Sequence, residues 1–268
     1  MNLKTASIVL VGVALAGAGA WQVVHGLHEA GIGRPKVAGL ETASAAAHRA
    51  ADKFLVMATG SRSSGQVPRL GDPAAGPLLD AVFDVRPVLG RPLPPFSQVD
   101  AVTDWLKSVA EVGQTYLLAG AGDATAESLS AEQAQKIDDN ISAYAPEVGR
   151  FMDADLGLTR VVAAMTAAEV ERPGSMNPTT NSGLEKVRSG ITQTLSGAIS
   201  TLTESSAADA WREARMPALV ATAGPAHRLL AADQQAALKS EALQAARTTS
   251  DAKVKQSLAE FASAVAGG

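Results

Sequence analysis

The chain has 268 residues, of which 46% are hydrophobic, 19% charged and 4% aromatic, with a formal net charge of −4. That length and apolar content suit one large or two small globular domains and exclude a disordered or fibrous chain. Mild acidity without a clustered basic stretch argues against nucleic acid as a partner, and the lack of cysteine excludes disulfides, thiolate catalysis and thiolate metal sites.

Residues 1–24 have the three parts of a secretory leader. Lys4 supplies the positive end and Ala6 to Ala16 the apolar stretch. Ala18, Gly19 and Ala20 are small residues of the kind a signal peptidase reads, which predicts a signal peptide over 1–20 and a mature start at Trp21. The alternative is an uncleaved inner-membrane anchor from Ala6 to Val24, close to the ~20 residues that a crossing helix needs. The alanine-rich leader has a bacterial character, so the expected destination is the periplasm or the outside of the cell, or the periplasmic face of the membrane if the leader stays.

Residues 21–40 are rich in glycine and predict a flexible arm. Leu40, Ala43, Ala47, Ala50, Phe54 and Ala58 then recur at three- and four-residue steps, which predicts a helix from Glu41 to Ala58. A turn-rich stretch from Gly60 to Pro77 leads to a short helix over Leu78–Val85. Ser97 with Asp100 resembles a capping box before a long helix carrying Val99, Val102, Leu106, Val109, Tyr116 and Leu117. Ser130 with Gln133 predicts a second capping box. Pro146 suits the first turn of a further long helix, with a bend expected near Gly157.

Arg172 to Gly183 is the best candidate for a boundary between a first half, 41–172, and a second, 184–268, which are either two units or one. In the second half Leu184, Val187, Ile191, Leu195, Ala198 and Leu202 keep helical spacing. Gly224-Pro225 is read as an interruption. A final hairpin is expected, with one arm from Pro225 to Arg247 and another starting at Ser250. No segment alternates apolar and polar residues, so the fold class is all-α, a bundle of about eight or nine helices. Much of its apolar content is alanine, the best helix former but a small contributor of buried area. Such a core requires close-packed helices.

Chemistry-bearing motifs are sparse. His25 and His28 stand three apart with Glu29 adjacent, but the surrounding glycines argue against a helical metal pair. His48, with Arg49 and Asp52, reads as a solvated face, and His227 as structural or exposed. Gly60 to Gly65 lacks the spacing of a nucleophile elbow. Ser250 with Lys253 fits S-x-x-K but has no companion motifs, and it reads better as a helix cap. Asp153-Ala154-Asp155-Leu156-Gly157 departs from a calcium loop in its glycine position. Asp138, Asp139 and Asn140 are placed on a solvent face. Asp80 with Asp84, and Asp100 with Asp104, are same-face neighbours at helix beginnings. No catalytic residue, metal site or cofactor is assigned.

The segment from Phe83 to Asp100 is the least routine. Pro87, Pro92, Pro94 and Pro95 predict an extended, low-entropy connector, with Arg86 and Arg91 each held before a proline. Pro92 and Pro95 also fit P-x-x-P, whose extended form a partner groove can read. Arg86, Arg91, Pro92, Pro95 and Phe96 are therefore the candidate partner- or anion-binding residues. The expected function is an exported helical interaction or structural protein of the bacterial envelope, with an envelope protein as partner and no catalysis. Two other readings stand beside it. One is a periplasmic hydrolase or lyase using scattered carboxylates, with Arg86 and Arg91 as anion anchors. The other is a helical ligand-binding or sensor domain whose pocket is lined by Trp105, Tyr116 or Trp211.

Overall fold

The computed structural model describes residues 39–62, 66–89, 92–122, 130–172 and 178–267. These residues are all-helical, with nine longer helices and two short ones, as the spacing of apolar positions predicts. In chain order the helices are α1 (Leu40–Arg62), α2 (Gly76–Phe83), α3 (Arg86–Leu89), α4 (Val99–Leu117), α5 (Ala131–Ala143) and α6 (Ala145–Val170). They continue as α7 (Pro178–Glu204), α8 (Asp209–Glu213), α9 (Met216–Leu229), α10 (Ala232–Thr248) and α11 (Ala252–Val265). A 3₁₀ turn, Phe96–Gln98, runs directly into α4. The leader and the arm over 21–38 lie outside the described residues, and among those described no helix is long and apolar enough to cross a membrane.

Helix α6 is the centre. It packs on α4 to one side and α9 to the other; α1 and α2 cover α4, α11 covers α9, and α10 packs on α11 and α7. Its buried residues cover all but one stripe, with large ones such as Phe151, Leu158 and Met165 among small ones such as Gly149, Ala154 and Ala163, and the stripe left open carries Arg150, Asp153 and Arg160. A helix with so wide a buried face is one that other helices surround on most sides. One apolar core runs from Leu40 to Val265 and joins elements before and after the 172–183 stretch. α6 runs unbroken through Gly157.

The two tyrosines seal the α1, α4 and α6 corner. Phe54, Tyr116 and Tyr144 form a ring stack with centroids 5.8 and 5.3 Å apart. The Tyr116 hydroxyl donates to Pro68 O at 2.7 Å, Tyr144 Oη accepts from the Val67 amide, and Glu147 Oε1 accepts from the Leu70 amide. Burial holds the Tyr116 phenol far above its ordinary range, so it stays a donor. The loop between α1 and α2 is thus lashed down by side chains that would otherwise be buried without partners.

Several local expectations change. Ser97 does not cap α4; Gln98 holds the N-cap position with no side-chain cap, because the preceding residues already turn as 3₁₀. The Ser130–Gln133 box does form. Asp138 and Asn140 are buried, not solvated. Asn140 Nδ2 donates to the carbonyls of Leu117 and Ala119 at the end of α4, and Asp138 accepts from the Ser206 amide. Gly224-Pro225 does not interrupt: Pro225 lies inside α9, and the carbonyl it cannot serve, that of Ala221, is on an exposed residue that water can reach. His227 therefore falls in the last turn of α9, not a first turn. Asp251, not Ser250, caps α11, accepting from the amides of Lys253 and Val254 at 2.9 and 3.1 Å.

Candidate functional site

The proline–arginine segment lies along α6. Val85 and Val88 are buried and Leu89 half-buried. The missing side chain at Gly157 makes this seat: a Cβ there would stand 2.9 Å from Leu89 Cδ1 and 3.6 Å from Val85 Cγ2. Trp105 Nε1 donates to Val82 O at 2.7 Å and ties the end of α2 to α4. The segment is not extended throughout. Arg86 to Leu89 make one helical turn, which Pro87 tolerates because first-turn amides need no helical partner. Pro95 has φ −64° and ψ 150°, the polyproline II geometry.

Arg86 is 87% exposed in its side chain and grips Asp84 with two parallel bonds, Nε to Oδ1 and Nη2 to Oδ2, both 2.6 Å. The hydrogen bond from the guanidinium holds the Asp84 carboxyl below the usual carboxylate range. Pro92 and Pro95 are exposed, and Phe96 is half-buried against the core. Leu93 between the prolines is 47% exposed, one of three large apolar side chains that the described surface shows to water, with Val56 and Met57. Arg91 lies outside the described residues.

Between this segment and α6 runs an open groove of about 380 Å³, lined by Phe83, Asp84, Arg86 and Leu89 on one wall and Arg150, Asp153 and Ala154 on the other. Arg150 bonds Asp80. Burial raises Asp153, partly offset by Arg215 at 3.9 Å. Arg215 itself stacks on Trp211, with its guanidinium 4.4 Å from the ring centroid, and occupies the space left open at Gly149. Arg150 escaped the sequence reading, and Asp153 entered it only in the rejected calcium-loop pattern. Their three-residue spacing on α6 puts them on one face, but nothing in the sequence says that the proline segment lies against that face.

A second cleft, of about 410 Å³, opens between α1 and α4 and is lined by Glu41, Ser44, His48, Asp100, Asp104 and Lys107. The Asp100–Asp104 pair read from spacing is on this wall. His48 is exposed, with Nδ1 3.4 Å from Ser108 Oγ and Nε2 3.7 Å from Asp52. Among the described residues no group of three or more His, Asp or Glu is placed to hold a metal ion. His25 and His28 lie outside them, as do 63–65 of the serine-rich turn. Trp105, Tyr116 and Trp211 line neither the groove nor this cleft. Trp105 and Tyr116 are buried, and Trp211, half-buried, donates Nε1 to Ala145 O. No family model matches this chain, and no curated protein or solved structure matches it significantly.

Proposed function

We propose that this chain is an exported helical interaction protein of the bacterial cell envelope, working by recognition and without catalysis, and that Arg86 to Phe96 is the surface it offers to a protein partner. The carrying observation is Leu93, exposed between Pro92 and Pro94 in a segment that also carries the exposed Arg86 guanidinium. Backbone stiffened by prolines, as at Pro95, loses little entropy on docking into an aromatic-lined groove. The Arg86–Asp84 pair is no obstacle, since an exposed ion pair contributes at most ~1 kcal/mol and an acidic group on the partner can replace Asp84. Export is supported by the tripartite leader.

Co-purification from envelope extract tests this, comparing wild type with Arg86→Ala/Arg91→Ala and with Leu93→Asp. The expected result is one protein retained by wild type, lost by both variants at unchanged helicity, and rebinding when both components are purified. Equal capture by all three would reduce the segment to a connector. Amino-terminal sequencing of the mature protein tests the export step, with a start at Trp21 expected.

A further inference from the structure

Asp155 sits near the middle of α6, 5% exposed, and its Oδ1 has no hydrogen-bond partner. Beside it, where α6 meets α7, is a small cavity of about 20 Å³. Its α6 wall is Val148, Phe151, Met152 and Leu156 around the acid; its α7 wall is Thr194, Gly197, Ala198 and Thr201. Those four residues lie at i, i+3, i+4 and i+7, one face of α7. Gly197 and Ala198 are the smallest residues on that face, and Thr194 and Thr201 flank them. A cavity of this size holds about one water molecule if polar groups are there to bind it.

An acid in this position has two states of very different cost. Neutral, it is a small polar group in an apolar seam. Ionised, it is a charge without a partner, which a protein interior tolerates only with water or an opposite charge. Several charged groups on neighbouring elements are engaged elsewhere: Arg150 with Asp80, Asp153 with Arg215, Lys107 with Glu111, Arg188 with Glu185, and Arg228 with Glu171, while Glu147 Oε1 accepts from the Leu70 amide and Glu241 of α10 accepts from Ser196 of α7. Glu204, at the end of α7, is exposed. No neighbouring charge acts on Asp155; burial alone pushes its carboxyl up to about 7.

We propose that Asp155 and its cavity form a proton-controlled latch: with the acid protonated, α7 seats closely on α6, and with the acid ionised, water enters the cavity and α7 lifts locally. The chemistry is one proton leaving the Asp155 carboxyl for solvent, with water taking its place as the group that satisfies the oxygens. Nothing in the recognition surface is needed for it, so this inference and the interaction reading fail independently.

Hydrogen exchange of the whole protein at pH 6 and pH 8, corrected for intrinsic rates, tests the latch. For an acid titrating near 7 when closed and near 3.8 when open, linkage requires the opening equilibrium of α7 to rise about tenfold between those pH values. The expected result is that peptides from Leu184 to Glu204 lose protection by that factor and exchange faster than the best-protected helix. Asp155→Asn should abolish the pH dependence. Equal protection at the two pH values, or the same dependence in Asp155→Asn, overturns the proposal. So does α7 exchanging in step with the best-protected helix, because the acid would then titrate only on global unfolding. If the variant does not fold, the wild-type Asp155 carboxyl carbon, followed by NMR, decides: a midpoint near neutrality supports the latch, and one in the ordinary carboxylate range overturns it.

Discussion

Gly113 on α4 faces the Phe151 ring on α6, and replacing it with alanine sets two effects of opposite sign against each other. A mid-helix glycine destabilises by ~1 kcal/mol relative to alanine, so propensity alone predicts a gain. The added Cβ, however, would stand 2.5 Å from Cγ and 2.6 Å from Cε2 of Phe151, with Cδ2 closer still. The ring is buried and fills its slot, so it can yield only by leaving it or by prising the helices apart. Overpacking of this kind costs about 1–3 kcal/mol, and expelling the ring approaches the 3–5 kcal/mol of a phenylalanine truncation. The steric term wins, and Gly113→Ala should lose about 2 kcal/mol net. Urea unfolding followed by circular dichroism reads this as a lower midpoint at unchanged slope. Gly60→Ala is the control. Nothing lies within 4 Å of its added Cβ near the end of α1, so a gain of up to ~1 kcal/mol is expected. A Gly113→Ala protein as stable as wild type would mean that α4 and α6 are not in glycine-mediated contact, and the account of the core would fall.

Three further outcomes follow from single side chains. Asp155→Asn should stabilise in a pH-dependent way. Below pH 3.8 folded and unfolded chains both hold the proton; between 3.8 and about 7 only the folded one does, so wild-type stability falls as pH rises and the variant's gain grows to about 4 kcal/mol at pH 8. A gain equal at pH 4 and pH 8 in chemical denaturation would contradict this. Asn140→Ala leaves the carbonyls of Leu117 and Ala119 without their donor and should cost about 2–3 kcal/mol; a loss below ~0.5 kcal/mol would show that water replaces the amide. Asp251→Ala should cost ~1 kcal/mol while Ser250→Ala costs almost nothing, and the reverse order would return the cap of α11 to Ser250.

The helices were legible wherever one face is apolar and the other is not. α1, α4 and α11 have that contrast, and the positions read from spacing, from Leu40 to Phe54, Val99 to Leu117 and Val254 to Val265, are buried except for the half-buried Ala43. The Ser130–Gln133 box was legible because both of its bonds are local. What failed was non-local. Asn140 looks like a surface amide until the end of α4 is brought against it, and its two acceptors lie 23 and 21 residues away in sequence. Gly224-Pro225 looks like a break because local rules penalise it, but contacts with α6 and α11 on either side hold α9 helical through it. At the candidate site, the stiffness around Pro95 could be read from the prolines. The opposite wall of the groove could not, because Arg150 and Asp153 come to it through the docking of Leu89 on Gly157, a contact of long sequence separation.

The scarcity of aromatics and the wealth of small residues share one physical consequence, visible along α6. Gly149 admits the Arg215 guanidinium, Gly157 admits Leu89 of the proline segment, and Phe151 enters the space left by Gly113. In each case a missing side chain on one element seats a large group from another, so specificity of packing comes from complementary gaps and not from bulk. Such a core gains less from area than one built on leucine and phenylalanine, and more from close contact between atoms, which falls off steeply with separation. Small displacements of a helix are then expensive, and a buried acid such as Asp155 is tolerated only while its seam remains closed around a neutral group. The same closeness that orders the bundle therefore makes Asp155, buried in α6 without a charged partner, a place where a single proton can be felt.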